Sequence, residues 1–231
     1  MSTGWIRFVL AGLLLLHSAA GRAQGEAYAD TCAAECDQAL AFWQTHATEF
    51  ETAAGKAGVS ARFLFAVVAP EVSQYARLID KGQTYALKVL YARQGKAYAD
   101  FSIGPFQMKP SFVERLEEWI RRDEALQEEF PEVLLPADSR DTRVMRLKRL
   151  ESTEWQLAYL ALFCRVVDHR FGALSFATEE EKLRFYSNAY NRGFHLDEKR
   201  LLAVEKACFP AFSRRKFQYA DVSLWFYRQL P

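Results

Sequence analysis

The run Phe63-Leu64-Phe65-Ala66-Val67-Val68-Ala69 is apolar on every face that a helix could present. A surface helix keeps a polar stripe, so a helix that is apolar all round has to be enclosed by other elements. Ser60 stands where an N-cap would, and a helix from Ser60 to Glu71 is therefore expected at the centre of the molecule. The rest of the chain must supply the shell. Cys36, Leu40, Trp43, Ala47 and Phe50 recur every three or four residues, giving a helix with one apolar stripe that Gly55 and Gly58 end. Ser111-Phe112-Val113-Glu114 and Thr178-Glu179-Glu180-Glu181 have capping-box spacing and open two more helices. Residues 131–140 read as a loop, 141–171 as one long helix stopping at Gly172, and 197–208 and 221–230 as two further helices. Alternating, strand-like runs are scarce, so the expected class is all-α.

The first 23 residues carry the features of an export signal: Arg7 in a positive n-region, an apolar core from Phe8 to Leu16, and small residues at Gly21-Arg22-Ala23. That core is too short to span a bilayer. The expectation is a signal peptide over 1–23 and a single domain over 24–231, exported to the periplasm or cell envelope, with no integral membrane segment after cleavage. Setting the leader aside removes Arg7 and Arg22 from the 30 basic residues and leaves 28 against 29 acidic ones. A balance so near neutrality gives no reason to expect a nucleic-acid partner.

All four cysteines, Cys32, Cys36, Cys164 and Cys208, fall after the leader, and an exported chain meets an oxidising compartment. Three pairings are possible and sequence does not choose among them. The pairing Cys164–Cys208, on helices flanking Tyr190, would tie down one wall of a cleft. No paired C-x-x-C arrangement occurs and the histidines are scattered, so no metal site and no cofactor are expected.

The apolar run ends in a carboxylate, Glu71. A carboxyl group beside apolar surface loses hydration, which disfavours its charged form and lets it hold a proton near neutral pH. Such a group can donate that proton to a leaving oxygen. Two polar-lined turns follow, Ile103-Gly104-Pro105-Phe106-Gln107-Met108 and Ser187-Asn188-Ala189-Tyr190-Asn191-Arg192-Gly193.

In their order, Glu71, then Gly104 and Gln107 with Phe106 in a Met slot, then Ala189-Tyr190-Asn191 with Gly193, resemble the motif set of the lytic transglycosylase and goose-type lysozyme superfamily. The resemblance covers roughly residues 60–194. Ser73 stands one place later than the Ser that follows the catalytic Glu in that family, and Pro105 and Arg192 replace its Leu and Ala. The resemblance implies a lysozyme-like helical domain with additional helices, acting on peptidoglycan glycan strands. It implies Glu71 as the catalytic acid and base, with Ser73, Gln107, Tyr190 and Asn191 as substrate-binding residues. Tyr190 would hydrogen-bond Glu71, and Asn191 would help to hold the sugar.

Glycoside cleavage passes through an oxocarbenium-like state and needs a proton on the leaving oxygen. In lytic transglycosylases the 6-hydroxyl of the muramyl sugar is the attacking group, so one carboxylate suffices and the product ends in 1,6-anhydromuramic acid. A muramidase would need a second carboxylate to activate water, for which Asp100 is the candidate; Asp100 also reads as a turn or cap residue. A third reading is an inactive exported glycan-binding or scaffold protein of the same fold.

Overall fold

The computed structural model describes residues 21–77, 81–203, 206–211 and 213–231. Within them the chain is all-α. Residues 21–31 form α1, followed by α2 (Ala33–Ala57), α3 (Ala61–Gln74), α4 (Lys81–Gln94), α5 (Pro110–Ile120) and α6 (Glu124–Glu129). Then come α7 (Arg140–Leu150), α8 (Thr153–Phe171), α9 (Glu179–Arg192), α10 (Glu198–Leu202) and α11 (Tyr219–Gln229). No β-strand occurs among the described residues. Two isolated antiparallel bridges, Ile103 with Met108 and Phe209 with Phe217, close small loops. No single helix among the described residues is long and apolar enough to cross a membrane.

The central helix is α3, as its apolar circumference requires. Residues Phe63 through Pro70 are all buried, and α2, α9 and α11 pack around it. Ser60 caps it by accepting from the Phe63 amide at 3.3 Å. It runs one turn beyond Glu71, to Gln74, with Pro70 inside it. A proline there removes a ladder hydrogen bond and crowds the carbonyl four residues back.

Thr178 caps α9 by accepting from the Glu181 amide at 3.2 Å, and the Glu181 carboxylate reaches back to the Ala177 amide at 2.9 Å. The other expected box forms differently. Lys109 is the N-cap of α5 and Pro110 its first residue, while Ser111 sits one place further in. Its amide is taken from outside by Asp100, at 3.0 Å, and Asp100 also accepts from the Ser111 hydroxyl at 2.7 Å. Glu114 instead accepts from the Tyr91 hydroxyl at 2.6 Å, beside the buried Glu117–Arg146 pair.

Three expected helices are corrected. The stretch 141–171 breaks at Glu151 because Ser152 caps a new helix, accepting from the Trp155 amide at 3.4 Å. The helix expected over 197–208 ends at Leu202, and Cys208 lies in the loop that bridges back to Phe217. The helix expected from residue 221 starts at Tyr219. The bridge between Cys164 and Cys208 does not form: Cys164 is a fully buried free thiol inside α8, whereas Cys208 is exposed, so the side chains do not meet. Cys32 and Cys36 are buried free thiols at the junction of α1 and α2.

Residues 1–20 of the expected leader lie outside the described residues, and its last three belong to α1. That helix is packed into the body. A Cβ added at Gly25 would stand 2.8 Å from Trp225 Cβ and 2.9 Å from the Asp221 carbonyl oxygen, so α1 and α11 touch backbone to backbone there. Tyr28, fully buried, sits inside a chain of donors: Gln74 Nε2 donates to its hydroxyl at 2.8 Å, the hydroxyl donates to Ser73 Oγ at 2.5 Å, and Ser73 donates to the Pro70 carbonyl.

Candidate active site

Three pieces of backbone converge on Glu71: the last turn but one of α3, the 103–108 turn ahead of α5, and the C-terminal turn of α9. Glu71 is half-buried between buried neighbours Pro70 and Val72. Loss of hydration lifts its carboxyl from 4.5 to about 7, with the Lys109 ammonium pulling weakly the other way. An acid of that strength is protonated about half the time at neutral pH and still able to give its proton up.

Tyr190 faces the same point. Burial raises its hydroxyl well above the ordinary phenol range, and the charge of Glu71 adds to the rise. The hydroxyl donates to the Phe106 carbonyl at 2.6 Å. A phenol has one hydrogen to donate, so toward Glu71 it can only accept. The expected bond from Tyr190 to Glu71 is therefore not made, the phenol's hydrogen going to the Phe106 carbonyl instead.

The 103–108 turn is held from three sides. Gln156, fully buried in α8, accepts from the Phe106 amide at 2.8 Å and donates to the Ile103 carbonyl at 2.8 Å and the Leu150 carbonyl at 2.5 Å. Gly104 has φ +69°, and a Cβ there would fall 1.9 Å from Gln156 Nε2. The glycine is required by that approach as well as by the backbone. Phe106 inserts its ring among Phe42 and Phe50 of α2, at centroid distances of 6.2 and 5.8 Å. Gln107 has φ +50°, uncommon for a residue with a side chain, and its Nε2 donates to the Gly104 carbonyl at 2.7 Å. Its carboxamide oxygen is left as an acceptor.

The structure therefore brings Glu71, Gln107 and Tyr190 to one place, with Asn191 half-buried beside Tyr190 on the same turn of α9. It does not bring Ser73. Two residues along a helix is a turn of about 200°, so Ser73 points away from the Glu71 face. Its hydroxyl is buried, bonded to Tyr28 and to the Pro70 carbonyl at 2.6 Å, and cannot reach a substrate. Asp100 spends both carboxylate oxygens on Ser111. Two residues escaped the sequence reading. Lys109 follows Gln107 by two places and carried no signal beyond its charge. Gln156 is a lone amide in an apolar stretch of α8, and a buried polar residue in such a stretch has to serve some backbone.

A separate cavity of about 430 Å³ lies at the other end of α9, lined by Val167, Phe171, Leu174, Phe176, Asp168 and Lys182. Its Asp168 is already engaged by Tyr186 and Lys182. The group with reactive acid–base character is Glu71, outside that cavity.

No family model matches this chain, and neither a curated protein nor a solved structure proved similar to it.

Proposed function

We propose that this chain is a peptidoglycan lytic transglycosylase of lysozyme-like fold, exported to the cell envelope, with Glu71 as its acid and base. The observation that carries the reading is the convergence on a carboxyl of pKa about 7 of Tyr190, Lys109 and the Gln107 turn. Glu71 gives its proton to the glycosidic oxygen as the bond to the muramyl C1 breaks, and positive charge develops on the ring. The carboxylate left behind faces the Lys109 ammonium, which offsets its charge. The muramyl 6-hydroxyl then attacks C1 and passes its proton to Glu71, which restores the acid and closes the 1,6-anhydro ring. Gln107 and Asn191 offer polar groups to the sugar hydroxyls. The engagement of Asp100 with Ser111 favours this single-carboxylate route over water activation.

The test is digestion of purified sacculi with mass analysis of the products. The expected result is 1,6-anhydromuramic ends that borohydride does not reduce. Glu71→Gln is expected to lower the rate by ~10²–10⁴, the usual worth of general acid–base assistance. Predominantly reducing ends would replace the transglycosylase reading with a muramidase, and near-normal turnover in Glu71→Gln would remove Glu71 from the mechanism.

A further inference from the structure

The cavity of about 430 Å³ between the end of α8 and the start of α9 is separate from Glu71 and takes no part in the chemistry assigned to that residue. Its volume falls within the range of small-molecule sites, about 300–1,000 Å³. Phe171, Leu174 and Phe176 form apolar walls, each of them half-buried. The two rings are fixed from behind, because both pack on buried Phe185, at centroid distances of 5.0 and 5.5 Å. The segment 172–178 is fixed at both ends. The Leu174 amide donates to the Phe171 carbonyl at 2.9 Å, and the Ala177 amide is taken by the Glu181 carboxylate. The walls are thus set before any ligand arrives.

The same cavity presents one acid and one base. Asp168 from α8 and Lys182 from α9 both line it, with Nζ and Oδ1 3.5 Å apart. Their side chains remain 29 and 30% exposed, so the pair faces open space rather than packed protein. Asp168 takes the Tyr186 hydroxyl and the Lys182 ammonium on the same oxygen, Oδ1. Toward Oδ2 the cation recorded among the described residues is Arg165, at 3.9 Å, beyond hydrogen-bond length. That guanidinium is held by Glu129 through two bonds of 2.9 Å. The Lys182 ammonium lies over the rings of Tyr186 and Phe63, at 5.2 and 5.9 Å, and an ammonium has three hydrogens to give. Glu179, the other charged residue of the lining, is occupied by the hydroxyls of Ser60 and Tyr227.

A ligand in this cavity meets a negative and a positive group side by side. An apolar acid would be repelled by Asp168 and an apolar amine by Lys182, each offsetting the attraction of the other group. A plain hydrocarbon would cover the spare acceptor and donors without pairing them. We infer that the cavity binds a free amino acid with a large apolar side chain. Its ammonium goes to Asp168 Oδ2, its carboxylate to the Lys182 ammonium, and its side chain lies against Phe171, Leu174 and Phe176. The two charges of an amino acid sit on one carbon, which suits protein groups only 3.5 Å apart. An aromatic side chain gains edge-to-face contact with the two phenylalanine rings as well, which makes phenylalanine the probe of choice. The site makes no use of Glu71 and is independent of the peptidoglycan reading.

The test is calorimetric titration of the full chain with L-phenylalanine, and NMR shift mapping to locate the response. The comparators are 3-phenylpropionate and phenethylamine, which each lack one of the two charges. L-Phenylalanine is expected to bind with a Kd below ~1 mM, modest for a ligand of its size, and to move the amide resonances of residues around Asp168 and Lys182. Each comparator should bind about tenfold more weakly, the scale of one hydrogen-bonded charge. Lys182→Met keeps the aliphatic stem and should weaken L-phenylalanine by a similar factor, while Leu174→Trp fills the hollow and should abolish binding. Melting temperatures show whether these variants fold, and the comparators decide the matter on the unaltered protein if one does not. Failure to reach half-saturation by ~1 mM would overturn the proposal. So would a comparator that binds as tightly as the amino acid, an affinity unaltered in folded Lys182→Met, or shifts that map away from the cavity.

Discussion

A carboxyl held at a pKa of about 7 in a helix that is otherwise apolar works against the fold at neutral pH. The sign follows from proton counting. The folded pKa lies above the unfolded one, 4.5, so between the two the native state holds a proton that the unfolded state has released. Stability therefore falls as pH rises from about 4.5 to 7, and levels off beyond, by on the order of 3 kcal/mol. Glu71→Gln keeps the shape and cannot ionise. It should remove that slope and melt above the wild type at pH 8, while the two converge near pH 4; thermal scans across pH check this, and equal melting temperatures at pH 8 would place Glu71 in water. The same residue explains what the sequence could and could not reveal. A single carboxylate closing an apolar run is conspicuous, and so is the Ala-Tyr-Asn segment. Ser73 misled because linear nearness to Glu71 hid an angular separation on the helix. Lys109 stayed hidden because only the tertiary turn brings it to the acid.

At the scale of elements, several boundaries fixed by one local side chain were legible, although the Ser152 cap that opens α8 was not. Ser60 and Thr178 cap their own helices, and Gly58 ends α2 in the left-handed region. Boundaries set from elsewhere were missed. Asp100 caps α5 across a turn, and the break after Leu150 depends partly on Gln156 taking the Leu150 carbonyl from α8. The 103–108 turn is the sharpest case, since its shape rests on an amide some fifty positions along the chain. Gln156→Leu would leave the Phe106 amide and the Ile103 and Leu150 carbonyls without that partner. Each buried group so orphaned costs about 1–3 kcal/mol, and partial relaxation makes a total of ~2–4 kcal/mol the expected loss in denaturant unfolding. Because Tyr190 anchors on the Phe106 carbonyl, activity should fall in the folded fraction as well. A Gln156→Leu protein of unchanged stability would mean that the turn is held without α8.

On the scale of the whole molecule, the unexpected feature is how much of the fold depends on residues immediately after the expected leader. Composition gave residues 24–32 no role, since Ala27, Tyr28 and Ala29 among polar neighbours form no clear stripe. The partners that make them structural, α3 and α11, lie far along the chain. Gln24 accepts from the Gln218 amide at 3.1 Å, where α11 begins. Tyr28 braces Ser73 and Gln74, one turn beyond the proposed acid. Cleavage after Ala23, as the export reading has it, would spare all of these contacts and remove only Gly21, Arg22 and Ala23 from the packed helix. The contact that decides whether α1 can dock is Gly25, where even a methyl would press on Trp225 and on the Asp221 backbone. Overpacking of that kind costs about 1–3 kcal/mol. For a domain of this size each kcal/mol shifts the melting temperature by about 2–4 °C. Gly25→Val should therefore melt roughly 3–10 °C below the wild type. Deletion of residues 24–32 should cost more, because it also strips Tyr28 from the core. If Gly25→Val melts with the wild type, α1 does not pack on α11, and the support it lends to the end of α3 goes with it.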